Sequence, residues 1–565
     1  MRGSEAVVRF MEDVGAGHLF GIPGGANLAI YQSLAGSRVR HHLTRTEQGA
    51  AHMADGYARV TGRAGFCIAT SGPGATNLVT GLGTAYMDSI PVVAITGQVG
   101  TKALGTDAFQ EADVFDVMIP VTKANYKVKR PEDLVPTLRK AYATAMSGRR
   151  GPVAVDIPSD ISMSQVEYTA YRYEGAKFPE VPDVSEAVGA LRSSQRPVIL
   201  AGGGAKAEGC RELILELSRR IGAPVVTTVM GKGAVPEDYE LALGITGIHG
   251  RGSSRYVLNR SDFVMALGAR FSDRTTAKMD EFIPSRTVVH VVNDEAEIGK
   301  RKKDVIGIRA DIVDFLREFL KYVGENERRE AWVQEVRKVR EFCRCDFNFM
   351  SEPMKPQKLI HAMNSVLPED AILVADVGQH QMFAAHYFEA RGTRKFITSG
   401  GMGTMGYALP AAIGAKIGRP DKPVVALIGD GGFMMTVSEL ATAVEEDVAV
   451  KAVVMNNASL GMIRQFQAHF YGNVIYAADY SKAPNFAKIA EGFGVQSSTV
   501  ERPSEMEDAL REMLAYRGPY VLEVRTDREE ECLPMTPPWG GKADIIYGRC
   551  RWKEVENGEV AGFSQ

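Results

Sequence analysis

Two polar residues late in the chain are spaced so that they could share a metal ion. Val424-Val425-Ala426-Leu427-Ile428 is an apolar run of strand type, followed at once by Gly429-Asp430-Gly431-Gly432. A helical stretch to about Glu446 and a second apolar run, Val450 to Met455, lead to Asn456-Asn457. Strands of a parallel sheet end on one edge, where ligands bind. Asp430 and Asn457, 27 positions apart, therefore return to the same edge. A carboxylate beside an amide oxygen is a hard donor pair of the kind Mg²⁺ takes, with phosphate oxygens completing its shell. Gly431 and Gly432 let backbone N–H groups approach such a phosphate, and the next helix N-terminus adds positive potential. Thr436-Val437-Ser438-Glu439 has capping-box spacing and predicts where that helix starts. Gly-Asp-Gly alone is usually a turn, and Asn-Asn alone usually closes a strand. Joined by a strand–helix–strand pattern they are far more specific.

Three further positions belong to the same argument. His380 follows the strand Ile372-Leu373-Val374-Ala375, on the edge assigned to the phosphate, and this favours a phosphate contact over a surface histidine. Met405 lies in the glycine-dense loop Gly400-Gly401-Met402-Gly403-Thr404-Met405-Gly406, where a soft side chain could wedge between two rings. Glu47, in Thr44-Arg45-Thr46-Glu47-Gln48-Gly49, stands where a strand gives way to a helix running to Arg59 and closed by Gly62. A glutamate in a first helical turn usually answers the helix dipole. Beside a metal–phosphate signature it becomes a candidate proton carrier.

The elements that must position these residues fall into three α/β blocks. The first contains Phe66 to Ala69, Thr70-Ser71-Gly72-Pro73-Gly74, a helical stretch to Met87 and a strand from Pro91 to Thr96, a βαβ unit of a parallel sheet. The second opens with Pro197 to Leu200 and Gly202-Gly203-Gly204, and has later strands at Val225-Val226, Phe263 to Leu267 and Val288 to Val292. Connectors run from Ile161 to Asp183 and from Glu325 to about Lys355, the latter read as a solvated, charged helix. The fold class is thus α/β with three doubly wound parallel-sheet domains, at 1–165, 183–325 and 355–530, and a tail at 531–565 over the site. The first and third blocks share their strand–turn–helix order.

Composition narrows the classes of function. A formal net charge of -3 with no basic stripe gives no reason to expect a nucleic-acid partner. No apolar run approaches membrane-spanning length, and the N-terminus has neither signal nor transit character. The six cysteines, at 67, 210, 343, 345, 532 and 550, lack zinc spacing and read as reduced thiols in a cytoplasmic enzyme.

Gly429-Asp430-Gly431 with Asn456-Asn457 matches the thiamine-diphosphate signature, and other stretches point to one family of such enzymes. These are Phe20 to Ala26, Glu47 to Ala50, Thr70 to Asn77, Tyr86 to Pro91, Ile95 to Val99, Gly105 to Glu111, Val377 to Met382, Gly403 to Pro410 and Leu460-Gly461-Met462. Over nearly its whole length the chain resembles the large, catalytic subunit of acetolactate synthase. The resemblance implies decarboxylation of pyruvate and transfer of the two-carbon unit to a second 2-keto acid, in branched-chain amino acid biosynthesis. Glu47 would pair with the aminopyrimidine. Pro73, Asn77 and Gln110 would line the pyrimidine side, with Phe109 and Gln110 near the reacting carbons. Gln379 and His380, with Gly403, Gly431 and Gly432, would meet the diphosphate. Asp430, Asn457 and the Ser459 carbonyl would hold Mg²⁺, and Met405 and Met462 would support the bent cofactor. Arg274 would bind the acceptor's carboxylate, and a non-redox FAD would sit on His249, Gly268, Arg270, Arg274 and Asp311. Family members are homodimers or homotetramers, many with a regulatory small subunit.

The chain departs from the family at three places. Ser159 follows Asp156-Ile157-Pro158 where a lysine is usual, Phe466 replaces a tryptophan linked to the choice of 2-ketobutyrate, and Val292 replaces a carboxylate near the flavin adenosine. A related thiamine carboligase or pyruvate oxidase stays open as an alternative. A non-catalytic paralogue is disfavoured, because Glu47, Asp430 and Asn457 are all present.

Overall fold

The computed structural model describes residues 1–548 apart from 177, 179, 285, 325, 326 and 344–347. Cys345, Cys550 and the tail from 549 onward lie outside the described residues.

The first six strands are β1 (His18–Gly21), β2 (Arg40–Leu43), β3 (Gly65–Ala69), β4 (Val92–Gln98), β5 (Ala124–Lys127) and β6 (Val153–Pro158). The middle set is β7 (Pro197–Ala201), β8 (Val225–Thr227), β9 (Ala242–Ile245), β10 (Phe263–Leu267), β11 (Thr287–Val292) and β12 (Ile306–Arg309). The last is β13 (Ile372–Ala375), β14 (Lys395–Thr398), β15 (Val424–Gly429), β16 (Lys451–Asn456), β17 (Gln496–Val500) and β18 (Tyr520–Arg525). Each set forms its own six-stranded parallel sheet. The inner strands are buried throughout, as sheets covered by helices on both faces require.

Strand order separates the sheets into two kinds. The first runs β2-β1-β3-β4-β6-β5 and the third β14-β13-β15-β16-β18-β17, one topology used twice. The middle sheet, β12-β11-β10-β7-β8-β9, reverses direction between its first and fourth strands, the order of dinucleotide-binding folds. The charged segment after 325 is more than a solvated connector. Its helix Glu330–Phe342 buries Trp332, Val333, Val336 and Val339 in the middle domain, and Trp332 Nε1 donates to the Pro197 carbonyl at 3.1 Å.

The first and third domains share one core. Helix Glu47–Thr61 lies against helix Ala408–Gly418 along faces of alanine and glycine. A Cβ on Gly56 would fall 2.0 Å from the Ala411 carbonyl oxygen, and one on Gly414 would fall 1.9 Å from that of Met53. Only glycine allows the two backbones so close. The capping box read at Thr436 does not form. Helix Asp430–Thr436 begins at Asp430 itself, and the Thr436 hydroxyl donates to the Gly406 carbonyl. Glu439 is fully buried and reaches across to the first domain, accepting from the Arg45 and Thr46 N–H groups and the Thr46 hydroxyl. The spacing is local, but the partner is tertiary. Residues 532–546 cross helix Gly461–Phe470 and the middle domain, through Gln465 Nε2 to the Cys532 carbonyl and the Thr536 N–H to the Ile248 carbonyl. No described helix is long and apolar enough to cross a membrane.

Gly414→Ala is expected to destabilise the apo-protein by about 3 kcal/mol through overpacking of this helix pair. Urea titration checks it, and a loss below about 0.5 kcal/mol, the ordinary effect of a surface change, would show that the helices can part freely.

Candidate active site

At the carboxyl edge of the third sheet, Asp430 opens its helix directly from β15. Its Oδ1 accepts from the Gly431 N–H at 2.7 Å and its Oδ2 from the Ser459 N–H at 3.1 Å. The same Ser459 N–H lies 3.1 Å from Asn457 Oδ1, so one donor gathers the carboxylate and the amide oxygen that the sequence paired. Between them Ala458 is held at φ +53°, a left-handed conformation costly for alanine and typical of sites that over-determine their backbone. Burial raises Asp430 to about 6 against those hydrogen bonds. Among the described residues no group of three or more His, Cys, Asp or Glu is arranged so that it could hold a metal ion. The donor set is therefore one carboxylate and one amide, which fits a cation that keeps phosphate and water oxygens in its shell.

The His380 ring is buried and bonded to the Asp376 carbonyl, and its Nε2 has no hydrogen-bond partner among the described residues. Burial lowers His380 to about 3, so the ring is neutral at ordinary pH. A buried, unpartnered nitrogen at a phosphate edge fits a phosphate oxygen. The Gln379 side chain is engaged within the protein. Its Oε1 accepts from Asn457 Nδ2 at 3.3 Å, and its Nε2 donates to Gln465 Oε1 at 3.0 Å and the Glu530 carbonyl at 2.9 Å. That side chain braces Asn457 from behind, and only its backbone N–H, in the first turn of helix Gln379–Tyr387, is placed for a phosphate. Met405 Cε comes within 3.3 Å of where a Gly431 Cβ would stand, so it overhangs the diphosphate loop with Leu460 and Tyr480 beside it. Gly403, at φ +70°, opens onto free space, and Gly432 packs on Asp376. Met462 and Phe466 are half-buried on helix Gly461–Phe470, with Phe466 packed on Phe470 at 5.8 Å between ring centres.

Sequence reasoning missed Asp376. Its carboxylate accepts from the N–H groups of Val377, Gly406 and Tyr407 and so ties β13 to the Met405 loop. An aspartate after a strand carries no local sign of that role.

A second group forms on the first sheet. Thr46 caps the Glu47 helix through the Gly49 N–H at 2.9 Å. Glu47 Oε2 accepts from Asn77 Nδ2 at 3.0 Å, and the turn at Pro73-Gly74 lies against Oε1. Gln110 sits at φ +60°, its backbone close against Gly72, and Phe109 beside it is 87 % exposed. Glu111 ties the loop together, accepting from the N–H groups of Gly105, Thr106 and Ala108, which hold its carboxyl below the usual range. Behind it Gln98 Nε2 bonds the Ala112 carbonyl and Asp156, a brace the sequence reading did not single out. No hydrogen bond among the described residues joins the Glu47–Asn77 pair to the Asp430–Asn457 pair.

Each of the three sheets is matched, in whole or in part, by a family model. Residues 1–117 match the thiamine pyrophosphate enzyme N-terminal TPP binding domain, 184–319 the central domain and 376–524 the C-terminal TPP binding domain. A protein of Methanocaldococcus jannaschii named as a probable acetolactate synthase large subunit is 41 % identical over 563 residues, covering 97 % of this chain and 95 % of its own. The isozyme 1 large subunit of Escherichia coli is 39 % identical over 549 residues, 96 % of this chain and 97 % of its own. That of Corynebacterium glutamicum is 40 % identical over 566 residues, 97 % of this chain and 90 % of its own. The chain belongs to the acetolactate synthase large-subunit family.

In this member of the acetolactate synthase large-subunit family, the middle domain is where the resemblance placed FAD. Gly268, at φ +60°, packs against Gly204 at the point where strand order reverses, and only a residue without a side chain fits between those turns. His249 is buried, bonded to the Cys532 carbonyl, and its Nδ1 lacks a partner among the described residues. Arg270 is half-buried, and burial together with Arg149 pushes its guanidinium down. These features fit an anionic dinucleotide. Asp311 Oδ1 caps helix Ile312–Leu320 by accepting from the Val313 and Asp314 N–H groups. Arg274 is exposed, and Val292 offers no carboxylate to a ribose.

Glu111→Ala is expected to speed hydrogen exchange of the 105, 106 and 108 amides by about tenfold or more, with little change elsewhere. Exchange mass spectrometry checks it, and unchanged protection would show that the loop holds itself without the carboxylate.

Proposed function

We propose that this chain decarboxylates pyruvate and transfers the two-carbon unit to pyruvate or 2-ketobutyrate, giving 2-acetolactate or 2-aceto-2-hydroxybutyrate. The observation that carries the reading is the pair of half-sites: an oxygen pair with an unpartnered histidine on one sheet, and a held glutamate on another. When bound, thiamine diphosphate supplies a carbon that adds to a 2-keto acid and takes up the electrons released with carbon dioxide.

The chain's own residues do the rest. Glu47, fixed through Oε2 by Asn77, keeps Oε1 for the aminopyrimidine ring and exchanges a proton with its nitrogen. Asp430, Asn457 and the Ser459 carbonyl hold Mg²⁺. His380 Nε2 and the N–H groups of Gln379, Gly431 and Gly432 would take diphosphate oxygens, and Met405 and Met462 would support the cofactor. Gln110 and Phe109 flank the reacting carbons, Phe466 lines the acceptor side, and Arg274 pairs with the acceptor's carboxylate. FAD rests at the middle-sheet reversal on His249, Gly268 and Arg270. Pro73, Asn77 and Phe109 are exposed in one chain, and the family resemblance implies that the first domain of one copy pairs with the third domain of another, so that a second copy would bring its Asp430 group to this Glu47. A homodimer or homotetramer is the working form, and the large-subunit name of the relatives supports a regulatory small subunit as partner.

Product analysis with pyruvate, thiamine diphosphate and Mg²⁺ tests the reading. Acetolactate without oxygen uptake is expected, and Glu47→Gln is expected to bind the cofactor yet lose about 10²–10⁴-fold in kcat. Acetate formed with stoichiometric oxygen consumption, or full activity in the variant, would overturn it. The raised Asp430 gives a second check, because the metal needs the ionised carboxylate. Mg²⁺ affinity should be flat above about pH 6 and fall about tenfold per unit below it. A titration showing equal affinity at pH 5 and 7.5 would remove Asp430 from the metal's shell.

A further inference from the structure

The loop 399–405, which carries Gly403 and Met405, is gripped from the first domain by groups that the proposed reaction does not use. Asp88 Oδ2 accepts from the Gly400 N–H at 3.2 Å and its Oδ1 from the Gly401 N–H at 2.8 Å. Arg59, almost wholly buried, donates to Asp88 Oδ2 at 2.8 Å, to Asp55 at 2.7 and 3.2 Å and to the Thr398 carbonyl at 3.2 Å. Thr84 Oγ1 lies 2.7 Å from Thr404 Oγ1, and the Tyr407 hydroxyl donates to Asp55 Oδ1 at 2.5 Å. The grip thus reaches both ends of the loop.

A buried ion pair could serve stability alone, but the ligands of Asp88 argue for more. They are backbone amides of glycines in a loop with three glycines among seven residues, and such a segment has much freedom to lose. A clamp that removes this freedom before the cofactor arrives lowers the cost of ordering on binding.

We propose that Asp88, held by Arg59, and Thr84 are positioning residues that pre-organise the Gly403–Met405 loop for the cofactor. The inference rests on the thiamine-diphosphate reading above. It gives each first domain two duties in a dimer: its Glu47 serves the diphosphate group of the second copy, and its Asp88 clamp serves that of its own chain.

The test is a thiamine diphosphate titration with Mg²⁺ into apo-protein, followed by calorimetry, on wild type, Asp88→Asn and the near-isosteric Thr84→Val. Kd is expected to rise about tenfold in the first and about threefold in the second, with kcat at saturating cofactor within threefold of wild type in both. In the apo forms, exchange of the 400 and 401 amides should speed in Asp88→Asn, a readout that stands whether or not acetolactate is the product. Thr84→Val loses one buried hydroxyl pair, a cost of about 1–3 kcal/mol that leaves the protein folded, so its Kd remains informative if Asp88→Asn folds poorly. An unchanged Kd in Thr84→Val, or lower melting in Asp88→Asn with unchanged exchange at 400 and 401, would reduce the cluster to fold stability and overturn the proposal.

Discussion

The contact on which the rest of the structure depends is the backbone-to-backbone approach of helices Glu47–Thr61 and Ala408–Gly418. Gly56 and Gly414 each face a carbonyl oxygen at a distance no side chain could occupy, and alanines fill the remaining contact. Close packing of this kind gains dispersion over many atom pairs and leaves no room to slide. Glu47 starts one helix, and the Met405 loop runs directly into the other. Fixing the two helices against each other therefore fixes where the start of the Glu47 helix stands relative to the carboxyl edge of the third sheet within one chain. Glu439 reinforces this by offering its carboxylate to the first turn of the Glu47 helix, where exposed N–H groups favour negative charge.

What is legible in the sequence follows from the difference between local and tertiary signals. Asp430 and Asn457 can be placed together because strand direction and strand length are local properties, and a parallel sheet turns them into a shared edge. The twin topology of the first and third sheets is foreshadowed in the same way. Glu439 shows the opposite case. Its spacing from Thr436 is that of a cap, but the helix begins earlier, at Asp430, and the partners of Glu439 lie almost four hundred residues away. Asp311 and Gln379 come from resemblance alone, and the structure shows one capping a helix and the other bracing Asn457. Asp88 and Arg59 give no signal because their partners are glycine amides and a second aspartate, neither of which leaves a pattern in the surrounding residues.

Two acids on the same sheet edge show how environment divides labour between identical side chains. Asp376 and Asp430 each follow a strand, each is buried, and neither is paired with a lysine or arginine among the described residues. Desolvation accordingly raises both, Asp376 to about 7 and Asp430 to about 6. The side chains of Asp55 and Asp88 are equally buried, but they share the Arg59 guanidinium. Among the unpaired acids, Asp376 is surrounded by amides from its own loop and from Gly406 and Tyr407, so its oxygens are occupied by the structure they organise. Asp430 accepts from the Gly431 and Ser459 N–H groups, with the Asn457 and Ala458 N–H groups also turned toward it, and the Asn457 amide oxygen shares its Ser459 donor. What sets Asp430 apart is that neighbouring amide oxygen, a second hard donor tied to the carboxylate through the Ser459 N–H. A divalent cation held between the two oxygens would return the raised acid to its ionised state.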